Sequence, residues 1–125
     1  MNADWRQLSS QDKMVVREDT IELTFEDGRR HVVNVEELNG KMLRFWSIVA
    51  RPAALSHIEE VNTRAWTRNR VTDLVGFKSD HRGRLIGETW VPVVGLDADE
   101  WNFYVRRVAW LCDRFEYLLT GRDME

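Results

Sequence analysis

A segment spanning residues 97–121 carries apolar residues at intervals of three and four, which is the spacing of one face of an α-helix. We call this set the inner stripe, and its members are Trp101, Val105, Val108, Ala109, Leu111, Cys112, Phe115 and Leu119. Asp97 can cap the first turn, Glu100 can complete a capping box, and Gly121 can end the helix in the left-handed conformation. The segment therefore predicts one helix of about 23 residues and roughly 35 Å, which is longer than a small core requires.

A second set of large apolar residues follows the same helix at steps of seven. We call it the aromatic ridge, and it consists of Phe103, Trp110 and Tyr117. Each ridge residue lies two positions from a member of the inner stripe, about 200° around the helix axis. Because one helical face completes a small core, the ridge is predicted to be a docking surface. We expect a second copy of the chain to cover it in a twofold dimer, with Arg107 and Arg114 along the rim. The alternative is that the sheet, or an N-terminal arm containing Trp5, covers the ridge within one chain.

The composition is that of an ordinary globular domain, with 125 residues, 43% apolar residues and a formal net charge of -3. The apolar runs are too short to span a membrane, and the polar N-terminus does not resemble a signal peptide. We therefore expect a cytosolic protein. The single cysteine, Cys112, excludes an intrachain disulfide and agrees with a reducing compartment. Its position on the inner stripe predicts a buried and inert thiol.

The first half of the chain predicts a meander of three strands. Polar and apolar residues alternate over residues 20–25, an Asp-Gly pair at 27–28 is a turn signal, and residues 29–36 are rich in valine. An Asn-Gly pair at 39–40 marks a second turn into residues 42–50. Apolar residues occur on both faces of this third strand, so we expect a central strand that is covered on each side.

The second half predicts a helix, two strands and the long helix. Pro52 stands at a favoured first position, and apolar residues at helical spacing then indicate one helix over residues 52–69. The predicted buried face of this helix consists of Ala54, Ile58, Val61 and Ala65. Residues 72–78 and 84–91 are predicted strands joined by a polar turn, and Pro92 marks an edge or an end of the sheet.

This order of elements indicates an α+β fold with a five-stranded, largely antiparallel sheet. We expect one domain over residues 14–121, preceded by a tail or a short helical turn at residues 1–13. Residues 14–17 extend the first strand or form a short strand of their own. We find no internal repeat, linker or low-complexity segment that would divide the chain.

Six tryptophans are several times the usual frequency, and they occur in every part of the chain. Tryptophan is common both in small cores and at the centres of interfaces. We expect most of them in the core, with Trp5 and Trp110 as the exceptions. Trp46, Trp66 and Trp90 are candidates for a partner surface, and a small ligand would be sought in a pocket near Trp46 or Trp90.

The residues that carry chemistry are few and lack recognisable spacing. His31, His57 and His81 have no ligand pattern around them, so we expect exposed imidazoles and no metal site. Acidic pairs at 36–37 and 59–60 are typical of solvated charges, and the acids at 97–100 suit a helix N-terminus. We find no phosphate loop and no nucleophile motif, and we expect no catalytic residue and no cofactor.

Nucleic-acid binding is an alternative because positive charge is concentrated around Trp66. The basic residues are Arg64, Arg68, Arg70, Lys78, Arg82 and Arg84. Only Asp73 and Asp80 oppose them, so the local sum is six minus two, or +4. The acidic chain as a whole would oppose long-range attraction, and arginines at a helix end are ordinary solvated residues. We therefore do not expect nucleic acid as the main partner.

One stretch of the chain resembles a known superfamily. The residues that carry the resemblance are Asn62, Asp80, Gly83, Arg84, Leu85, Val91, Pro92, Gly95, Leu96 and Glu100. Over about residues 14–121 the chain resembles the bacterial YbjN-type domain and the class I type III secretion chaperones. The resemblance implies a twisted antiparallel sheet with helices, a homodimer, and an adaptor that holds an extended segment of a client protein or serves a regulatory role. A sensory domain that responds to a small ligand is the alternative.

Overall fold

The computed structural model describes residues 14–121, and its strands form one antiparallel sheet in the order β1-β2-β3-β4-β6-β5. The strands are β1 (Met14–Val16), β2 (Thr20–Thr24), β3 (Arg30–Leu38), β4 (Met42–Ala50), β5 (Gly76–Ser79) and β6 (Leu85–Pro92). The prediction of five strands is therefore corrected to six, because β1 pairs with β2 as a strand of its own. The predicted meander and the later hairpin are confirmed. The predicted tail at residues 1–13, including Trp5, lies outside the described residues.

The two turns of the meander occur where the sequence predicts them. Gly28 has a φ of 89°, and Asn39 and Gly40 have φ values of 54° and 66°. Glycine and asparagine reach this left-handed region at the lowest cost, and two successive positive φ values match the twist of a tight hairpin. These residues therefore determine where each strand ends and the next begins.

Three helices lie within the described residues: α1 (Pro52–Leu55), α2 (Val61–Val71) and α3 (Ala98–Thr120). The single helix predicted over residues 52–69 is wrong, because Glu60 takes a left-handed φ of 54° and separates α1 from α2. The residues of the predicted buried face are still partly or fully buried, although Ile58 lies between the two helices. No helix within this part of the chain has the length and apolar character needed to cross a membrane.

The long helix α3 has the predicted ends. The Asp97 carboxylate accepts a hydrogen bond from the Glu100 N–H at 2.8 Å, and Gly121 ends the helix with a φ of 71°. The inner stripe packs on β3, β4 and β6, and all of its residues except Leu119 are buried. The predicted inner face of the helix is therefore confirmed.

The strand β4 is central, as predicted, but its two faces differ. The residues that face α3 are Leu43, Phe45, Ser47 and Val49, and all of them are buried. The alternate residues Arg44, Trp46 and Ile48 are only partly buried. Within residues 14–121, α3 packs on one face of β4 and the other face is covered less completely, so the two faces are not equally covered as expected.

Gly87 of β6 lies close against a side chain of α3. A Cβ atom at this position would overlap the Sγ atom of Cys112 and the ring of Phe77. Glycine therefore allows the helix backbone to approach the sheet. Cys112 is fully buried, as predicted, and burial raises the pKa of its thiol far above its ordinary value, which disfavours the reactive thiolate.

The edge strand β5 begins later than the predicted residues 72–78, because the loop before it contains Leu74 with a φ of 72°. Asn69 of α2 binds the backbone of this strand. Its Nδ2 donates to the Phe77 carbonyl at 2.9 Å, and the Phe77 N–H donates to its Oδ1 at 2.7 Å. The side chain of Asn69 thus takes the place of a neighbouring strand at this edge.

Candidate protein-binding surfaces

The aromatic ridge lies on the outward face of α3, opposite the inner stripe. Phe103, Trp110 and Tyr117 are 52%, 45% and 51% exposed. Phe25, which follows β2, covers one side of Trp110 with its ring centroid 5.7 Å away. Among the described residues, the chain therefore covers the ridge only in part.

Three arginines flank the ridge. Arg106 and Arg114 are exposed, and Arg107 is partly buried with an Nε atom that has no hydrogen-bond partner. None of the three pairs with a carboxylate in the part of the chain that the structure describes. Asp113 and Glu116, the acidic residues of the same stretch of helix, are both buried. The outward face of α3 therefore combines half-exposed rings with positive charge.

A groove of about 230 Å³ opens on this face of the helix. Its lining consists of Phe103, Arg106, Arg107 and Trp110. The groove is not beside Trp46 or Trp90, where the sequence led us to look for a ligand pocket, because those two residues lie on the other side of the sheet. Two rings and two guanidinium groups make the groove suitable for a group that is both apolar and anionic.

The outward face of the sheet carries Trp46 and Trp90, two of the predicted partner residues. The Arg44 guanidinium lies between them, 5.3 Å from the Trp46 ring centroid and 5.7 Å from that of Trp90. The Arg44 Nε donates to Glu88 at 2.5 Å, and the Lys78 ammonium lies 2.7 Å from the other Glu88 oxygen. The principal charges on this face are therefore paired with one another.

Two carboxylates on the outer side of the sheet have lowered pKa values. Burial pushes the pKa of Glu88 upwards, but hydrogen bonds from Lys78 and Arg44 outweigh burial and lower it. In the same way, bonds from Arg84 and Arg82 overcome the effect of burial and lower the pKa of Asp80. Both groups are held in the ionised form, whereas a catalytic acid near neutral pH needs a raised pKa.

Trp66, the third predicted partner residue, lies on α2 and is 61% exposed. Arg70 stacks on it, with its guanidinium carbon 5.0 Å from the ring centroid. Arg68 lies 5.9 Å from the Phe115 ring centroid, and Arg64 donates to the Leu118 carbonyl at 3.2 Å. The basic residues considered for nucleic acid are thus largely engaged by their own chain. The surface around Trp66 is separate from the sheet face of Trp46 and Trp90.

His31 is fully buried, so the expectation of an exposed imidazole is wrong at this position. Its Nδ1 lies 3.8 Å from Asp113 Oδ1, and the Arg29 Nη1 lies 2.7 Å from Asp113 Oδ2. Atoms of His31, Asp113 and Glu116 that could bind a metal lie within 4.8 Å of one another. A cation there would compete with Arg29 for the same carboxylate. The cluster therefore fits a buried ion-pair network better than a metal site.

The structure thus brings the predicted self-association residues together on one helix face. Sequence reasoning missed two members of this surface, Arg106 and Phe25. Arg106 stands three residues after Phe103 and four before Trp110, so helical spacing alone could have identified it. Trp5 and Trp110 are the predicted exceptions to a core position, and Trp66 and Trp90 are exposed as well.

The fold is similar to that of several proteins with solved structures. The ExsC-ExsE complex matches with a TM-score of 0.61 and 13% identity, over 94% of this chain and 90% of the other. The HopA1-SchA chaperone-effector complex matches with a TM-score of 0.57 and 10% identity, over 89% and 85%. YbjN from E. coli, a candidate transcription regulator, matches with a TM-score of 0.56 and 15% identity, over 91% and 88%. No protein-family model and no curated protein matches the sequence. The chain has the YbjN and type III secretion chaperone-like fold, which confirms the resemblance.

Proposed function

We propose that this protein is a non-catalytic protein-binding module, which works as a chaperone-like adaptor or as a YbjN-type regulatory protein. The observation that carries the proposal is the aromatic ridge, because three half-exposed rings on one helix face have no complete cover among the described residues. The structural neighbours support it, since two of them are complexes of two proteins. A cytosolic location is part of the same proposal.

The first partner that we propose is a second copy of this chain. Phe103 and Tyr117 are fourteen residues apart, or about 21 Å along α3, so two helices in contact could cover the rings of both copies. A twofold axis makes the same patch serve both subunits. Arg107 and Arg114 lie at the rim, where their aliphatic stems can cover ring surface while their charges stay in water.

The second partner is an extended segment of a client protein. Trp90 is 43% exposed on the sheet face, with Trp46 beside it, and Trp66 offers a further exposed ring on α2. Exposed tryptophans are frequent anchors in protein interfaces. A client that contacts all three would have to pass around the edge of the sheet, because the rings lie on two separate surfaces.

The substitution Trp110→Glu tests self-association through the ridge. A carboxylate buried at the contact without a partner costs several kcal/mol, so we expect a dimer to become a monomer. Light scattering coupled to size-exclusion chromatography measures the mass over a range of concentrations. Trp66→Glu is the matched control, because it places the same charge on another exposed tryptophan and should leave the mass unchanged. A wild-type chain that stays monomeric at high concentration would contradict the dimer.

A further inference from the structure

The outward face of α3 has a charge opposite to that of the whole chain. The chain has a net charge of -3, yet Arg106, Arg107 and Arg114 all lie on this face. The exposed acidic residues of α3, Asp99 and Glu100, are confined to its first turn, where they complement the helix N-terminus. Beyond that turn, the exposed charge of the helix is wholly positive.

Arginines on the sheet differ from these three in having acidic partners. Arg44 binds Glu88 at 2.5 Å, and Arg84 binds Asp80 at 2.7 Å. The α3 arginines have no carboxylate partner within residues 14–121. Arg106 and Arg107 line the same groove as two aromatic rings, and a guanidinium group can form a bidentate bond with an incoming carboxylate.

Within residues 14–121, a second copy paired through α3 places no exposed carboxylate opposite these arginines. In an antiparallel twofold pairing centred on Trp110, Phe103 of one copy meets Tyr117 of the other. The same symmetry places Arg106 opposite Arg114, since both are four residues from the centre. Like charges at close range repel, so this pairing covers the rings but gives the arginines no counter-charge from residues 14–121.

We propose that the groove on α3 binds an acidic segment of a partner protein, an inference that rests on the proposed protein-binding function and names the chemistry of its partner. Asp or Glu side chains of the segment bind the guanidinium groups, and an apolar side chain enters the groove of about 230 Å³. The groove residues are Phe103, Arg106, Arg107 and Trp110. A nucleic acid also offers anions and rings, but the net charge of -3 repels a polyanion more than a segment with a few carboxylates.

Salt has opposite effects on the two occupants of the ridge. Added salt screens the attraction between the arginines and an acidic segment, so it weakens that complex. Added salt also screens the repulsion between the arginines of two copies, so it strengthens self-association. Because both contacts use the same rings, one copy can make only one of them at a time.

The test is a titration of the full chain into a fluorescein-labelled peptide of Glu-Glu-Leu repeats, followed by fluorescence anisotropy at low and high salt. A Gln-Gln-Leu peptide of equal length is the matched probe. We expect the acidic peptide to bind at least about tenfold more tightly than the neutral one, and to weaken with salt. The double substitution Arg106→Gln with Arg114→Gln should weaken binding by about tenfold or more.

The matched control for the double substitution is Lys41→Gln with Arg82→Gln. These exposed residues lie in turns between strands and not on α3, and their loss gives the same net charge, so binding should change less than about twofold if the ridge is the site. Equal loss in both double variants, equal affinity for both peptides, or no binding of the acidic peptide would overturn the proposal. Tighter binding of a labelled single-stranded oligonucleotide than of the acidic peptide would overturn it in favour of nucleic acid. The peptide results can reject the acidic partner while the dimer test succeeds. If the wild-type chain then forms a dimer that salt strengthens and that Trp110→Glu abolishes, the proposed protein-binding function stands and only the acidic partner is rejected.

Discussion

The outward face of the sheet and the outward face of α3 both combine tryptophan with arginine. On the sheet, Arg44 lies between Trp46 and Trp90 and binds Glu88. On α3, the arginines beside Trp110 have no such partner in the described part of the chain. The two faces have a similar composition but differ in whether their charges are paired. The pairing of the charges, and not the composition, indicates which surface is available to a partner.

This difference has an energetic consequence for docking. A ligand that uses Arg44 must first break a charge-assisted hydrogen bond that is mostly shielded from water. A ligand that uses Arg106 or Arg114 forms new bonds without breaking such a pair. We therefore propose the α3 face, ahead of the sheet face, as the binding surface, although both expose aromatic rings.

The largest expected effect is on the free energy of unfolding, and it distinguishes a tryptophan of the core from a tryptophan of the ridge. Trp101→Ala removes a fully buried ring that packs 4.8 Å from the centroid of Phe45, and we expect a loss of about 3–5 kcal/mol in the free energy of unfolding. Trp110→Ala is the matched control on the same helix, and its loss should stay below about 1 kcal/mol. Urea unfolding followed by circular dichroism measures both, at a concentration where the chain is monomeric. Equal losses would mean that the ridge is part of the core.

A smaller effect distinguishes paired from unpaired charges. Glu88→Gln weakens the bonds to Arg44 and Lys78, and we expect a loss of about 1–2 kcal/mol in the free energy of unfolding. Arg114→Gln removes a charge that has no carboxylate partner among the described residues, so its effect should lie within about 0.5 kcal/mol. Chemical denaturation provides both values. A larger loss for Arg114→Gln than for Glu88→Gln would reverse our account of the two faces.

The smallest effect is the dependence on pH. Because the pKa of Glu88 is lower in the folded chain than its ordinary value of 4.5, its pairing stabilises the fold fully above that pH. The contribution disappears as pH falls from 4.5 through the lower folded pKa. Glu88→Gln should therefore lose less stability than the wild type over this acid range, while Arg106→Gln should follow the wild type. Denaturation midpoints at several pH values test this, and parallel curves for wild type and Glu88→Gln would refute it.

The elements that could be predicted from the sequence are those determined by local spacing. The inner stripe and its cap at Asp97 depend on residues within a few helical turns, and the meander turns depend on glycine within a few residues. His31 was within reach of the same reasoning, because it alternates with Val33 and Val35 and all three point to one face of β3. The position of His31 in the strand, and not its residue type, determines its burial.

The features that could not be predicted depend on contacts distant in sequence. Arg44 and Glu88 are 44 residues apart, so their pairing becomes visible only when β4 and β6 are adjacent. The break at Glu60 follows a left-handed turn at a residue type that seldom adopts it. The aromatic ridge itself was predicted from its period of seven. Its arginines could be found by spacing, but their lack of carboxylate partners required the structure.

The bonds between Asn69 and Phe77 have a consequence for how the sheet could grow. An incoming strand on the β5 side needs the Phe77 N–H and carbonyl, and one carboxamide already holds both. Such a strand must first displace the Asn69 side chain. Polymerisation of the protein through the β5 edge therefore requires the loss of two hydrogen bonds. The Asn69 carboxamide thereby opposes edge-to-edge addition of a second sheet at β5.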